Sequence, residues 1–389
     1  MDLPALNEDE TALSSAMREY LAAEIRAAGG ALPFDRYMEM ALYSPGLGYY
    51  VNGSRKFGEG GDFVTAPELS PLFSQCLAGQ VAECLDNIGG GLVLEIGAGS
   101  GRMAADMLAA LTALDRLPDR YAILELSPGL RQAQRETLVA RVPALLPRVE
   151  WLDSLPQGGF RGVVVGNELL DAMPVHRFRR HRDTWQELAV TGDERGLRDS
   201  WGDIRSPGLR QAIDRLWPDG TAPDDGYSSE LNMRLAPWLR ALAQNLACGY
   251  VLLIDYGYTQ REYYHPERRQ GTLICHFRHR AYADPYLLPG LQDITASVDF
   301  SALARAADNA GFELAGFTTQ AHFLIDSGLD RLLAASDPGE VQRHLQLMQG
   351  VKKLTLPGEM GERFKVVALA RGAAARLSGF RSRDLRERL

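Results

Sequence analysis

The sequence has only four cysteines, and their spacing does not suggest a metal site. Cys76, Cys84, Cys248 and Cys275 lack both the short paired spacings of zinc ligands and the density of a disulfide framework. We therefore expect reduced thiols, no bound metal and a reducing compartment.

Long hydrophobic runs are also missing. No apolar stretch approaches the roughly 20 residues that cross a bilayer, so we expect no membrane insertion. The first thirty residues carry several acids, unlike a secretory signal or an acid-poor organelle presequence. These absences predict a soluble, cytoplasmic protein.

An excess of positive charge is absent as well. The 389 residues carry a net charge of -8, which gives no general attraction to nucleic acid. We interpret a local basic cluster as a solvated or partner-facing edge; it comprises Arg177, Arg179, Arg180 and Arg182. We therefore expect no nucleic-acid partner. The composition, 46% hydrophobic and 24% charged, is that of a globular protein with one large domain or two modest ones.

From residue 92 onwards, strands alternate with helices. Five short apolar runs predict the strands, at 92–94, 121–124, 149–152, 162–165 and 251–255. Continuous Val, Ile and Leu are typical of parallel strands buried on both faces. The predicted fold class is therefore α/β, a doubly wound, Rossmann-like sheet. Runs at 312–314 and 364–370 predict a closing strand pair at its edge.

Segments outside this pattern suggest a cap, a lid and an insertion. Residues 10–28 have helical periodicity, and residues 43–71 are rich in Gly, Pro and aromatic residues, as functional loops are. We therefore divide the chain into a helical cap with a glycine-rich lid (1–75) and the α/β domain (76–389). The polar stretch at about 176–230 is predicted to be an irregular insertion over the site, and the basic last twenty residues a frayed terminus.

A glycine turn follows the first strand of the α/β pattern. In VLEIGAGSG, the residues Gly97, Gly99 and Gly101 would allow a tight turn and the approach of a ligand to bare backbone. A dinucleotide fingerprint needs a further glycine at the position of Arg102. A G-x-G-x-G turn with Glu95 two residues before it is typical of methyltransferases of this fold. Packing of strand against helix is the alternative explanation of the turn alone.

Polar residues follow the second and third strands. Glu125 ends the second, where a carboxylate can accept hydrogen bonds from both ribose hydroxyls. Asp153 follows the third, where a short side chain can meet an adenine amino group. Leu126 and Ser154 beside them complete the predicted nucleoside site. A solvent-facing glutamate and a simple helix cap are the alternatives for the two acids.

The end of the fourth strand carries the candidate catalytic residues. Ligands in open α/β sheets bind outside the carboxyl ends of strands, which places Asn167 and Glu168 at the site. Glu168 and Asp171 would share one face of a helical first turn and bind a guanidinium group with paired hydrogen bonds. Helix capping is the alternative. His279 is a candidate proton acceptor, with a structural role as the alternative. Asp255 would line the substrate cleft or, alternatively, lie at the buried end of a strand.

Long sequence blocks resemble the MidA family. They are GYYVNGSRKFGEGGDFVTAPELSPLFSQCLAGQ, LEIGAGSGRMAADML, ILELSPGLRQAQRETL, VVGNELLDAMPVHRF, LLIDYGY and GLQDITASVDFSAL, between residues 33 and 323. Mitochondrial members of that family act as protein arginine methyltransferases in the assembly of respiratory complex I. The resemblance implies a class I methyltransferase fold, S-adenosyl-L-methionine as methyl donor, and a cofactor site at the glycine turn with Glu125. It also implies that residues 61–68, with Thr65 and Pro67, fold over the cofactor.

The sequence therefore predicts methyl transfer to an arginine side chain of a partner protein. In this hypothesis a guanidine nitrogen attacks the sulfonium methyl group, while Glu168 and Asp171 localise the guanidinium charge. Three alternatives remain: an assembly protein that binds the cofactor with little turnover, a methyltransferase for a small molecule, and a nicotinamide dehydrogenase, against which Arg102 counts. The methyl acceptor stays open, as does the oligomeric state, with a homodimer among the options.

Overall fold

The computed structural model describes residues 4–53, 64–217, 221–336, 341–374 and 376–389. Its contacts divide the chain into two units. The first contains the described residues of 1–63, 170–237 and 258–299, and the second those of 64–169, 238–257 and 300–389.

Sixteen strands are present among the described residues. They are β1 (Leu32–Pro33), β2 (Leu92–Ile96), β3 (Arg120–Leu124), β4 (Val149–Leu152), β5 (Phe160–Asn167), β6 (His176–His181), β7 (Thr184–Asp193), β8 (Gly196–Asp203), β9 (Ser228–Leu231), β10 (Leu246–Tyr258), β11 (Ile274–Phe277), β12 (Arg280–Tyr282), β13 (Asp293–Thr295), β14 (Val298–Asp299), β15 (Glu313–Thr319) and β16 (Phe364–Arg371).

Fourteen α-helices are found in the same part of the chain. They are α1 (Glu8–Ala27), α2 (Phe34–Tyr43), α3 (Ala66–Leu69), α4 (Pro71–Ile88), α5 (Arg102–Ala113), α6 (Pro128–Arg141), α7 (Leu209–Asp214), α8 (Leu235–Asn245), α9 (Gln260–Tyr263), α10 (Phe300–Asn309), α11 (Gln320–Asp326), α12 (Leu329–Ala334), α13 (Val341–Thr355) and α14 (Met360–Arg363). No described helix is long and apolar enough to span a membrane.

The second unit is built on seven strands of an eight-stranded sheet, in the order β15-β16-β10-β5-β2-β3-β4. The five strands from β10 to β4 are parallel, and β16 runs antiparallel to both of its neighbours. The predicted doubly wound α/β sheet is confirmed. The strand order reverses between β2 and β5, and sheets of this kind bind ligands at the carboxyl edge of such a point.

Local sequence explains the elements beside this switch point. α4 begins with Ser70, whose side chain accepts a hydrogen bond from the N–H of Leu72, and it ends at the left-handed Gly89. All five residues of β2 are buried, as its unbroken apolar sequence predicts, although Glu95 is among them. The buried faces of α4 and α5 pack on this sheet in one hydrophobic core. The start of α5 is thereby held directly behind the glycine turn.

The first unit shows that the predicted irregular insertion is wrong. Residues 176–203 form three antiparallel strands, β6, β7 and β8, and β1 and β9 complete the sheet. The dense charge of this segment concealed the strands, because each of them buries only part of its side chains. α1 and α2 contribute apolar residues to a separate core in the same unit.

The basic C-terminal segment is docked rather than frayed. The ring of Phe380 lies over Gly316 of β15, where a Cβ would come within 2.4 Å of the ring. The N–H of Leu385 donates to the carbonyl oxygen of Phe317 at 2.7 Å. The apolar residues between the arginines therefore attach this segment to the edge strand of the second unit.

Candidate functional site

Five parallel strands of the second unit end at one edge of its sheet. Backbone hydrogen bonds continue past the strand ends, because the N–H of Gly97 donates to Leu124 O at 3.2 Å and that of Glu125 donates to Leu152 O at 3.4 Å. The residues that follow β2, β3 and β4 are thus held next to one another. This edge contains the predicted cofactor residues of the second unit.

The three turn glycines have the left-handed backbone that favours glycine. Their φ angles are +73° at Gly97, +53° at Gly99 and +80° at Gly101. A Cβ on Gly101 would lie 2.8 Å from the Cα of Gln134 on α6, so this glycine allows two helices to approach closely. A Cβ on Gly97 would meet only the end of Leu169, at 3.5 Å. Gly101 therefore allows two helices to pack, whereas the sequence analysis considered only the packing of strand against helix.

Glu125 is held at the end of β3 by two N–H donors. Its Oε1 accepts from the backbone of Ser127 at 2.9 Å, and its Oε2 accepts from Nε2 of Gln134 at 3.1 Å. Burial raises the pKa of the carboxyl group, and these two hydrogen bonds, the backbone N–H of Leu126 and the charge of Arg131 act against that shift. A carboxylate offers about four acceptor positions, so further donors can still bind to Glu125.

Glu95, the other acid of the predicted site, is fully buried. It accepts a hydrogen bond from the hydroxyl of Tyr121, and its Oε1 has no hydrogen-bond partner among the residues that the structure describes. Burial raises the pKa of Glu95 to about 7, with Glu125 adding a smaller electrostatic contribution. The hydrogen bond from Tyr121 joins the side chain of Glu95 to β3, and contact with a ligand stays a prediction.

The predicted adenine residues lie at the surface of this edge. Leu126 is 65% exposed and presents an apolar surface beside Glu125. Asp153 is exposed, and its Oδ1 accepts from Nη2 of Arg131 at 2.6 Å. Ser154 next to it is exposed too. The proposed contact of Asp153 with an adenine amino group would have to share the carboxylate with Arg131.

A short helix reaches the glycine turn from the predicted lid. Thr65 precedes α3, Pro67 is buried within it, and Glu68 accepts a hydrogen bond from the hydroxyl of Ser100 in the turn. Residues 61–63 of the predicted lid lie outside the described residues. The described part of this segment therefore contacts the turn through Glu68, which the sequence analysis did not select.

Glu168 follows β5 in a backbone conformation that is rare for glutamate. Its φ is +50°, and its N–H donates to Ile254 O of β10 at 2.9 Å. Asn167 donates from Nδ2 to Oε1 of Glu168 at 3.1 Å. The predicted helical first turn across Glu168 and Asp171 is wrong, because residues 168–175 contain no helix and the left-handed residue turns the chain away from the strand.

Asp171 and His279 belong to the first unit. Asp171 is buried, and its carbonyl oxygen accepts from the N–H of Ala296 at 2.9 Å. His279 is exposed and forms, with Arg278, the two-residue turn between β11 and β12. Both turn residues have positive φ, +47° and +61°, as a type I′ hairpin turn requires. The catalytic roles of Asp171 and His279 stay predictions.

Sequence reasoning missed Gln134, which connects three strand ends. Besides Glu125, its Nε2 donates to Gly99 O at 3.1 Å, and its Oε1 accepts from Nε1 of Trp151 on β4 at 2.9 Å. The signal was present, since Gln134 lies midway between Leu130 and Leu138, at helical spacing on the buried side of α6. A fully buried amide among the apolar residues of a helix face indicates that its side chain has specific hydrogen-bond partners.

Comparison with known proteins identifies the family. A family model described as "Putative S-adenosyl-L-methionine-dependent methyltransferase" matches residues 76–318, more than half of the chain. The chain belongs to this family. It is an S-adenosylmethionine-dependent methyltransferase, so the predicted enzyme class and methyl donor are confirmed.

Relatives and a solved structure match almost the whole methyltransferase chain. The human protein arginine methyltransferase NDUFAF7, mitochondrial, is 30% identical over 87% of this chain and 80% of its own, and the zebrafish one is 28% identical over 91% and 87%. A COG1565 superfamily member from Burkholderia thailandensis, crystallised with S-adenosyl-homocysteine, is 46% identical, with a TM-score of 0.95 over 100% of both chains. The predicted relationship to the mitochondrial arginine methyltransferases is confirmed. Because these relatives are named mitochondrial, the cytoplasmic location stays a prediction.

The residues present at the methyltransferase site fit S-adenosylmethionine. The turn around Gly97 and Gly99 exposes backbone, Glu125 offers acceptors for hydroxyl groups, and Leu126 offers an apolar surface. Within the described chain, the buried Oδ1 of Asn167 at the end of β5 has no hydrogen-bond partner. Such an atom fits the binding of a polar group of a ligand.

Proposed function

We propose that this methyltransferase transfers the methyl group to an arginine side chain of a partner protein. The support is the match over most of the chain to relatives named protein arginine methyltransferases. The chain's own residues would bind the donor as the site suggests, with Glu125 accepting from the ribose hydroxyls and Leu126 against the adenine. When bound, S-adenosylmethionine supplies an electrophilic methyl group on a positively charged sulfur.

Glu168 is the residue that we propose for orienting the guanidinium group. A non-glycine residue at φ +50° is kept only where its surroundings hold it, and such strain is concentrated at functional sites. Ile254 holds its backbone and Asn167 its carboxylate. A carboxylate fixed in this way can accept N–H donors from guanidinium and leave one nitrogen aligned for in-line attack. Asp171 and His279 are secondary candidates for charge localisation and for accepting the proton.

A binding experiment followed by a transfer experiment tests the proposal. Calorimetric titration of the full chain should show one site for S-adenosylmethionine and none for NAD, and Glu125→Ala should weaken the binding at least tenfold. Glu136→Gln, which changes an exposed acid of α6, is the matched control.

The transfer step uses methyl-labelled donor and a cell extract as the source of acceptors, with mass spectrometry locating the label. We expect label on arginine, and Glu168→Gln should retain cofactor affinity while slowing transfer roughly 10- to 1000-fold. Label on a small molecule or on lysine would overturn the arginine proposal, and unchanged transfer in Glu168→Gln would overturn the role of Glu168.

A further inference from the structure

The side-chain amide of Gln134 makes three hydrogen bonds, two donated by Nε2 and one accepted by Oε1. It is 0% exposed, and its three contacts join the glycine turn, the end of β3 and β4. Thr137, one turn further along α6, also donates to the turn, from its hydroxyl to Ser100 O at 2.8 Å. The buried side of α6 thus contacts two consecutive carbonyl groups of the glycine turn.

The orientation of this amide is determined by its neighbours. An indole N–H can only donate and a backbone carbonyl can only accept, so Oε1 faces Trp151 and Nε2 faces Gly99 O and Glu125. Because Nε2 of Gln134 can only donate, Oε2 of Glu125 must accept in the hydrogen bond between them. Trp151 is itself covered by the guanidinium of Arg135, at 4.5 Å from the ring centre.

We propose that Gln134 is a positioning residue for cofactor binding, which holds Glu125 as an acceptor for a ribose with both hydroxyl groups present. The inference rests on the proposed ribose role of Glu125. N–H groups donate to both oxygens, from Ser127 to Oε1 and from Gln134 to Oε2, and would hold the carboxylate in one orientation with its remaining acceptor positions in fixed directions. Gln134 then contributes to selectivity for the ribose diol without touching the ligand.

Two other charged side chains, Glu95 and Arg131, interact electrostatically with Glu125. Glu95 on β2 is the acid whose pKa Glu125 raises, and Arg131 on α6 lowers the pKa of Glu125 electrostatically while its Nε donates to Glu125 O at 2.6 Å. Loss of the Gln134 hydrogen bond would raise the pKa of Glu125 further, because burial then acts against fewer donors. As the pH is lowered, Glu125 would therefore become protonated, and the ligand would dissociate, at a higher pH in such a variant than in the unsubstituted chain.

Three chains are compared by calorimetry with S-adenosyl-homocysteine between pH 5 and 9: the unsubstituted chain, which is the parent, and the same chain with Gln134→Leu or Gln134→Glu. Glu95 is present in all three, so its titration is common to them. We expect Gln134→Leu to bind about tenfold more weakly at pH 7. As the pH is lowered, this variant should also lose binding at a higher pH than the parent does. Gln134→Glu should bind well only where its own carboxyl group is protonated and can donate to ionised Glu125, so it should lose binding as the pH rises, in the opposite direction to the parent. Protonation of the ligand itself is common to all three chains, so it cancels in the ratios of their dissociation constants.

A second readout separates positioning from stability. Removal of the ribose 2′-hydroxyl from the ligand should cost the parent chain about tenfold in affinity and Gln134→Leu much less, an effect that general loosening of the fold would not produce. Gln132→Leu changes an exposed glutamine of the same helix and should behave as the parent.

Folded Gln134 variants with the parent's pH profile and 2′-hydroxyl preference would overturn the inference. Failure of the underlying ribose role has a different signature, namely normal binding by Glu125→Ala.

Discussion

Asp255 of β10 accepts a hydrogen bond at its Oδ2 from the N–H of Leu169, at 3.1 Å, and so holds the chain that follows β5. Its Oδ1 accepts from the N–H of Tyr256 at 2.9 Å, and the side chain is almost fully buried. Together with the hydrogen bond from Glu168 to Ile254, this contact explains how the left-handed Glu168 is kept in place. A residue selected from sequence as a cleft wall thus supports the proposed guanidinium site from behind.

Replacement of this carboxylate should therefore slow methyl transfer more than it weakens cofactor binding. Asp255→Ala leaves the N–H of Leu169 without its acceptor, and we expect a loss of about 1.5–3 kcal/mol in stability and a transfer rate at least tenfold lower. Asp255→Asn retains a carbonyl acceptor and should keep most of both. Equal losses of rate and of affinity for S-adenosyl-homocysteine in Asp255→Ala would contradict this prediction.

The close approach of α6 to the glycine turn gives a prediction on stability. Gly101→Ala combines a strained φ of +80° with overlap at 2.8 Å against Gln134, and we expect it to cost about 2–4 kcal/mol. Gly158→Ala has a similar φ, +88°, with nothing within 4 Å of the new Cβ, and should cost only about 1 kcal/mol. Urea unfolding of both variants measures the difference, and equal costs would show that overlap contributes nothing.

Glu95 predicts a pH dependence of stability. Its pKa rises from the ordinary value of 4.5 to about 7 on folding, so its contribution is complete below pH 4.5 and is lost as the pH rises through 7. The shift corresponds to about 3 kcal/mol. Glu95→Gln cannot ionise, and its stability relative to the wild type should therefore increase by about that amount between pH 5 and pH 8. Urea unfolding across this range, with the exposed Glu19→Gln as control, checks it; parallel pH profiles for all three proteins would refute it.

The docked C-terminal segment can be tested with two neighbouring residues. Phe380 is 5% exposed and its ring lies 5.6 Å from that of Phe323, so Phe380→Ala should destabilise the protein by about 3–5 kcal/mol. Arg381→Ala, at an exposed position, should change stability by less than about 0.5 kcal/mol. A frayed terminus would show no difference between the two variants.

The central sheet was predictable because its strands are unbroken apolar runs. Buried parallel strands such as β2 and β5 can be recognised from their own sequences alone. Once the ends of the strands are placed, the positions of the glycine turn and of Glu125 follow. β6 to β8 were missed because charge density obscured a half-buried antiparallel pattern. The helix expected across Glu168 and Asp171 failed because Asp255 and Ile254, more than 80 residues away in sequence, determine the local backbone.

The sequence by itself determined the doubly wound sheet, the edge where the cofactor site lies and the methyltransferase class, because strand hydrophobicity and the glycine turn are local signals. Only the tertiary structure showed that Gly101 is needed for helix packing, that Glu95 is buried with a raised pKa, and that Gln134 connects the turn to Glu125 and Trp151. Such roles arise from contacts between segments far apart in the chain, and a residue's type and spacing carry no record of which distant backbone group it will meet.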